Sequence, residues 1–206
     1  MVKGNIMVGQ SGGPTAVINA SLVGVYKAAQ DAGIDKIYGM QNGIEGLLQN
    51  RYVDLRAQIQ NEMDVEILKR TPAAFLGSCR YKLPDMRKEP EVYQRLFDIL
   101  ERADVRYVVY IGGNDSMDTV LKLSSYAAMV GSDIRFMGVP KTIDNDLAET
   151  DHTPGFGSAA KFVASAMKEI IRDSSVYHMD SVTIVEIMGR NAGWLTAASA
   201  LAKGED

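Results

Sequence analysis

Along this chain, short β-prone apolar runs alternate with longer stretches whose apolar residues recur at helical spacing. Residues 5–8 (NIMV) predict a strand, and the loop GQSGGP separates it from a helix predicted over residues 16–32. Ala16, Ile18, Ala20, Val23, Val25 and Ala28 give that helix a mixed apolar face, and Gly33 suits its C-terminus. Residues 36–40 predict a second strand, closed by Asn42-Gly43. Over residues 91–103, Val92, Leu96, Ile99 and Leu100 share one helical face. The run YVVYI at residues 107–111 reads as a buried strand ended by Gly112-Gly113, with a helix over 116–130 behind it. A strand over 134–139 ends at Pro140, and the remainder predicts a helix over 158–171, a strand over 182–187 and a helix over 192–202.

Strands separated by helices imply an α/β fold with a parallel sheet and right-handed crossovers. Ligands of such sheets bind beyond the carboxyl ends of the strands. The loops at residues 9–14, 112–115, 140–146 and 188–191 all follow strands, are rich in Gly or polar residues, and are expected to converge on one edge. The loop at 149–157, with Pro154 and two glycines, marks a domain boundary, which divides the chain into 1–150 and 151–206. The second part holds a single predicted strand, so it is expected to be an incomplete domain.

Composition narrows the function classes. Of the 206 positions 46% are hydrophobic and 23% charged, which allows a sizeable core and excludes global disorder. The net charge of -4 lacks the basic surplus of a nucleic-acid binder, although local basic clusters still suit small anions. No run approaches the ~20 apolar residues that span a bilayer, so no membrane partner is expected. The N-terminus MVKGNIMVGQ lacks the pattern of a signal peptide, and a lone cysteine, Cys79, fits a reducing cytoplasm.

Five motifs carry candidate chemistry, each with a plainer alternative. GQSGGPTAVINA joins a strand to a helix, where glycine amides and the helix N-terminus attract an anion; the alternative is a tight turn. In LGSCRYK, Arg80 can grip phosphate oxygens with two bonds, or be a solvated surface arginine, and Cys79 reads as a small spacer. GGND supplies oxygen ligands suited to Mg²⁺, or a helix cap. PKTIDND places Lys141, Thr142, Asp144 and Asp146 together, a candidate base beside a fixed cation, against a polar turn with an Asx cap. In EIMGRNAGW, Gly189 permits a tight exit and Arg190 offers a phosphate fork, while Trp194 reads as a core residue. His152 and His178 lack metal-like spacing and read as loop or surface residues.

Taken together, SGGPTAVIN, LGSCR, GGNDS, PKTIDND, TPGFGSA and EIMGRNAGW resemble the phosphofructokinase family, in the family's order and over nearly the whole chain. The resemblance implies a Rossmann-like three-layer α/β/α fold, with a donor-binding domain over 1–150 and the start of a sugar-phosphate-binding domain over 151–206. It implies an enzyme that phosphorylates the 1-hydroxyl of fructose 6-phosphate with Mg²⁺, as a homodimer or homotetramer. Asp144 matches the catalytic base, Asp146 a supporting carboxylate, and Thr142 a contact to the sugar or the moving phosphoryl group. Gly12 and Gly113 match donor-phosphate contacts, and Arg80 matches the arginine on the transferred group. Met188, Gly189 and Arg190 match the sugar-phosphate segment. Asn114 falls where many members have a magnesium-binding Asp, and Ser181 where many carry an arginine.

Two positions bear on the donor. ATP users in the family typically show glycine where this chain has Asp115 and Lys141, so the resemblance is to the pyrophosphate-dependent branch. Asp115 would take the space and charge position of the α-phosphate of ATP, and Lys141 would neutralise the phosphoryl group in flight. The alternatives kept open are an ATP-dependent phosphofructokinase and a non-catalytic phosphate-binding relative.

Overall fold

The computed structural model describes residues 4–176 and 178–202. The chain divides into two compact units, one running through Lys141 and one starting at Thr142.

In the first unit β1 (Asn5–Gln10), β2 (Ile37–Met40), β3 (Tyr52–Asp54), β4 (Val105–Gly112) and β5 (Arg135–Pro140) form one five-stranded sheet in the order β3-β2-β1-β4-β5. The β1–β2, β1–β4 and β4–β5 pairs are parallel. The helices are α1 (Ile18–Asp31), α2 (Gly43–Leu48), α3 (Leu55–Gln58), α4 (Glu62–Arg70), α5 (Pro90–Arg102) and α6 (Asn114–Val130). Side chains of β1 alternate between two cores, as strand pleating requires. Ile6 and Val8 pack with Leu22 and Tyr26 of α1 and Val65 and Leu68 of α4. Met7 packs with Ile44 and Leu47 of α2, Leu96 and Leu100 of α5 and Leu123 of α6. The result is three layers, α/β/α. Since α1 covers one face and α6 the other, the chain departs in opposite directions after β1 and β4, and the topological switch point lies between those two strands.

Two sequence expectations for this unit change. The sheet is not wholly parallel, because β3 pairs antiparallel with β2. A strand of three residues at the sheet edge needs pairing on one side only and has too few positions for a periodic signal. Helices α2 to α4 also lie where no element was predicted. Helix α4 buries only Val65 and Leu68 while Met63 and Ile67 stay 72% and 59% exposed, so its apolar pattern is blurred. A capping box starts it: Asn61 accepts from the Asp64 amide at 3.0 Å and Asp64 accepts from the Asn61 amide at 3.2 Å.

The second unit holds α7 (Phe156–Ser174), α8 (Trp194–Ala198) and a 3₁₀ turn (Ser199–Ala202). The strand expected over 182–187 is not formed: the segment is irregular, and Val182 and Ile184 are each 90% exposed. Its β-branched residues favour a pleated strand, but a strand requires a neighbour to pair its amides and carbonyls, and no other strand exists among the described residues of this unit. Trp194, expected in the core, is 56% exposed; Leu195 is the buried residue of α8. The final helix begins at Trp194 rather than at 192.

A buried polar network ties the start of α1 to the 71–76 loop. Gln10 donates to the Ile18 carbonyl (3.1 Å) and to Asn19 Oδ1 (2.9 Å) and accepts from the Leu76 amide at 2.9 Å. Asn19 donates to the Thr71 carbonyl and accepts from the Phe75 amide, both at 2.9 Å. We expect Asn19→Ala to strand several buried partners and lower stability by about 2–4 kcal/mol. Leu96→Ala, at a fully buried position of α5, lowers stability by about 2–5 kcal/mol, whereas Leu121→Ala, on the exposed side of α6, stays within about 0.5 kcal/mol. Urea unfolding midpoints of the three variants check this order.

Candidate active site

Strand register brings three loops of the first unit together. Gln10 pairs with Ile111, Ile111 with Val139, and Gly112 with Pro140, so β1, β4 and β5 end level. Two bonds prolong the ladder past the strand ends: Ser11 N donates to the Ile111 carbonyl and Lys141 N to the Gly112 carbonyl, both at 2.9 Å. Convergence of the 9–14, 112–115 and 140–141 segments therefore follows from pairing. The 188–191 segment lies in the second unit.

The glycine loop after β1 turns through Gly12 at a φ of +78°, a left-handed conformation that strains any residue with a Cβ. Its amide donates to the Cys79 carbonyl at 3.1 Å, Ser11 Oγ donates to the same carbonyl at 3.3 Å, and Ser78 Oγ donates to the Gly12 carbonyl. The LGSCR segment is thus fastened to the loop, and exposed Arg80 follows it directly. Cys79 is buried, a spacer as expected, with its Sγ 3.7 Å from Tyr110 Oη. The Ile44 amide donates to the same phenol at 3.3 Å. Burial holds the Tyr110 phenol well above its ordinary value, so the floor under the loop stays neutral. Ser78 was not singled out by sequence reasoning; its position inside the LGSCR motif was the available signal.

Gly113 is the N-cap of α6, and no side chain caps the helix. Neither Asn114 nor Asp115 is a cap, contrary to the plainer expectation; both belong to the first turn and are exposed. Asp115 faces Lys82, with Oδ1 3.9 Å from Nζ. A Cβ at Gly112 would collide with the Ser116 side chain, so the close strand–helix join requires glycine there.

Lys141 is the most informative of the predicted residues. It is only 4% exposed, and its ammonium donates to the Gly13 carbonyl beside the positive-φ turn at Gly12. A buried lysine held on a glycine loop is a fixed positive charge at the level of the strand ends. Gly12, Gly113 and Lys141 therefore share one strand-end cluster, with Arg80 and Asp115 on the segments leading from it.

In the second unit the Asp144 amide donates to Thr142 Oγ1 at 3.1 Å, which shapes the turn. Asn145, at a φ of 55°, donates to the Asp151 carbonyl at 3.1 Å and accepts from the Thr153 amide at 2.8 Å, so the TIDND turn is stapled to the 151–155 loop. Asp144 Oδ1 is buried with no hydrogen-bond partner among the described residues. Met188 and Arg190 are exposed on a turn that the Ala192 amide closes onto the Gly189 carbonyl at 3.0 Å. His152 and His178 are exposed, as expected.

Among the described residues no group of three or more His, Cys, Asp or Glu could hold a metal ion. Asn114, in the first turn of α6, offers a side-chain oxygen of the kind hard divalent cations take, their remaining positions being filled by water and phosphate. Among the described residues no helix is long and apolar enough to cross a membrane.

The Phosphofructokinase family model matches residues 5–206. The chain is 46% identical over 204 residues to a pyrophosphate–fructose 6-phosphate 1-phosphotransferase of Xanthomonas campestris pv. campestris, covering 98% of this chain and 48% of that protein. It is 43% identical over 206 residues to the Halomonas elongata protein of the same name, covering 98% and 49%. The crystal structure of a pyrophosphate-dependent phosphofructokinase from Nitrosospira multiformis superposes with a TM-score of 0.86 at 41% identity, over 98% of this chain and 50% of that one. The chain spans about half the length of the curated relatives it matches. Since the match takes in the glycine loops, the buried lysine and the TIDND turn alike, the chain belongs to the phosphofructokinase family.

Proposed function

We propose that the protein carrying this chain transfers a phosphoryl group, reversibly, from pyrophosphate to the 1-hydroxyl of fructose 6-phosphate, yielding fructose 1,6-bisphosphate and inorganic phosphate. The observation that carries this reading is Lys141, a buried ammonium on the glycine loop, with Asp115 in the first turn of the helix behind the adjoining strand. The names of relatives at 46% and 43% identity support the same donor. In this reading residues 1–150 bind the donor and residues 151–206 begin the sugar-phosphate domain of a cytoplasmic homodimer or homotetramer.

Each residue then has a defined task. Gly12 and Gly113 let backbone approach the diphosphate. Asp115 fills the place of a nucleotide's α-phosphate. A further negative charge ~4 Å from this half-exposed carboxylate, screened by solvent and by Lys82, costs ~1 kcal/mol, a few-fold in affinity, and the bulk of the side chain adds to the exclusion. Asp144 accepts the proton of the sugar 1-hydroxyl, while Thr142 holds the backbone of its turn. The hydroxyl oxygen bonds to phosphorus as the bond from phosphorus to the bridging oxygen breaks, and inorganic phosphate leaves. Lys141 and Arg80 stabilise the charge on the group in transit. Met188, Gly189 and Arg190 receive the sugar phosphate, and Asp146 supports the base. Mg²⁺, held by Asn114, water and the diphosphate, supplies charge neutralisation when bound.

A coupled assay of the intact protein with pyrophosphate and with ATP tests the donor; equal or better turnover of ATP overturns the assignment. Asp144→Asn is expected to lower kcat by about 10²–10⁴-fold with little change in substrate KM; unchanged kcat removes the base from the scheme. Replacing Asp115→Gly and Lys141→Gly together is expected to lower pyrophosphate turnover and raise ATP turnover, measured as the ratio of the two kcat/KM values.

A further inference from the structure

We infer that Lys82 sets the affinity for the diphosphate by acting through Asp115: its ammonium offsets the Asp115 carboxylate, so a diphosphate is tolerated beside it. The inference rests on the pyrophosphate reading above.

The case begins with a cost inherent in Asp115. A carboxylate placed to repel a nucleotide's extra phosphate also repels the diphosphate itself, because both donors are anions bound at the same strand ends. Selectivity without loss of donor affinity needs a cation that reduces the long-range charge and leaves the carboxylate's bulk in place. Lys82 meets that requirement. Its Nζ lies 3.9 Å from Asp115 Oδ1, and the two side chains are 71% and 53% exposed, so both face solvent.

The backbone explains why Lys82 is there. From Cys79 to Leu83 the chain has no helical structure, and exposure alternates: Cys79 and Leu83 are buried, Arg80 and Lys82 exposed, and Tyr81 half-buried. An extended segment places residues two apart on one side, so Arg80 and Lys82 leave the chain together. The segment is anchored at both ends. Cys79 is bonded to the glycine loop, and the Lys122 ammonium of α6 donates to the Leu83 carbonyl at 3.0 Å. The same helix that carries Asp115 therefore also holds the far end of the segment that carries Lys82. An exposed pair at this distance adds little to folding stability, so its removal is read in kinetics without unfolding the protein.

The test is steady-state kinetics of the intact protein with pyrophosphate, for Lys82→Met, Asp115→Asn and the double variant. Lys82→Met is expected to raise the pyrophosphate KM about three- to tenfold, the scale of one exposed charge pair, with kcat and the fructose 6-phosphate KM near their original values. In the Asp115→Asn background the same substitution is expected to change the pyrophosphate KM by less than about twofold, since no carboxylate remains to offset. Lys82→Arg restores the original KM. An equal rise in both backgrounds overturns the inference and makes Lys82 a direct donor contact. A flat KM in Lys82→Met overturns it and leaves a surface ion pair. Turnover of pyrophosphate by the unsubstituted protein is measured first: its absence sinks the functional reading and this inference with it, whereas its presence with a flat KM counts against Lys82 alone.

Discussion

Parallel pairing of β1 with β4 and of β4 with β5 is the constraint on which the strand-end cluster of Gly12, Gly113 and Lys141 depends. The three strands stop level, and the ladder runs on through Ser11 N and Lys141 N, one residue past the strands themselves. A slip of one residue would turn each side chain to the opposite face of the sheet. It would exchange Ile6 and Val8 for Met7 between the two cores and carry Lys141 away from the glycine loop. Core packing therefore sets the position of the charge. The apolar faces of α1 and α5 hold the register, and the register holds the ammonium.

Burying that ammonium has an electrostatic consequence. A lysine withdrawn from water loses hydration that must be replaced by nearby oxygen. The Gly13 carbonyl supplies part of it, and is available because Gly12 turns the backbone through a conformation closed to other residues without strain. Asp115 is the complementary case. It sits in the first turn of α6, where helix amides favour a negative charge, yet remains at the surface and within reach of Lys82. One charge is buried behind the glycine loop and the other stands at the surface.

Legibility in the sequence differed by element for identifiable reasons. Helix α5 was readable because Val92, Leu96, Ile99 and Leu100 repeat at its own period. Strand β4 was readable because both of its faces are covered, which leaves a nearly continuous apolar run. The three-residue β3 and the short α2 and α3 carry too few positions for a period to emerge. Residues 182–187 read as a strand because β-branched residues suggest one locally, but pairing is a property of two segments and cannot be read from one.

By itself the sequence determined the layer architecture of the first unit and the family, since both are encoded in local periodicity and ordered motifs. Only the tertiary structure decided the state of the residues within its loops. Lys141 and Asp115 are both charged residues after a strand, and nothing local distinguishes the buried one from the exposed one. Likewise Ser78, Lys82 and Asn19 acquire their partners at Gly12, Asp115 and the 71–75 loop only when segments distant along the chain fold together. Burial, pairing and charge environment are sums over neighbours, and those neighbours are chosen by folding rather than by position in the chain.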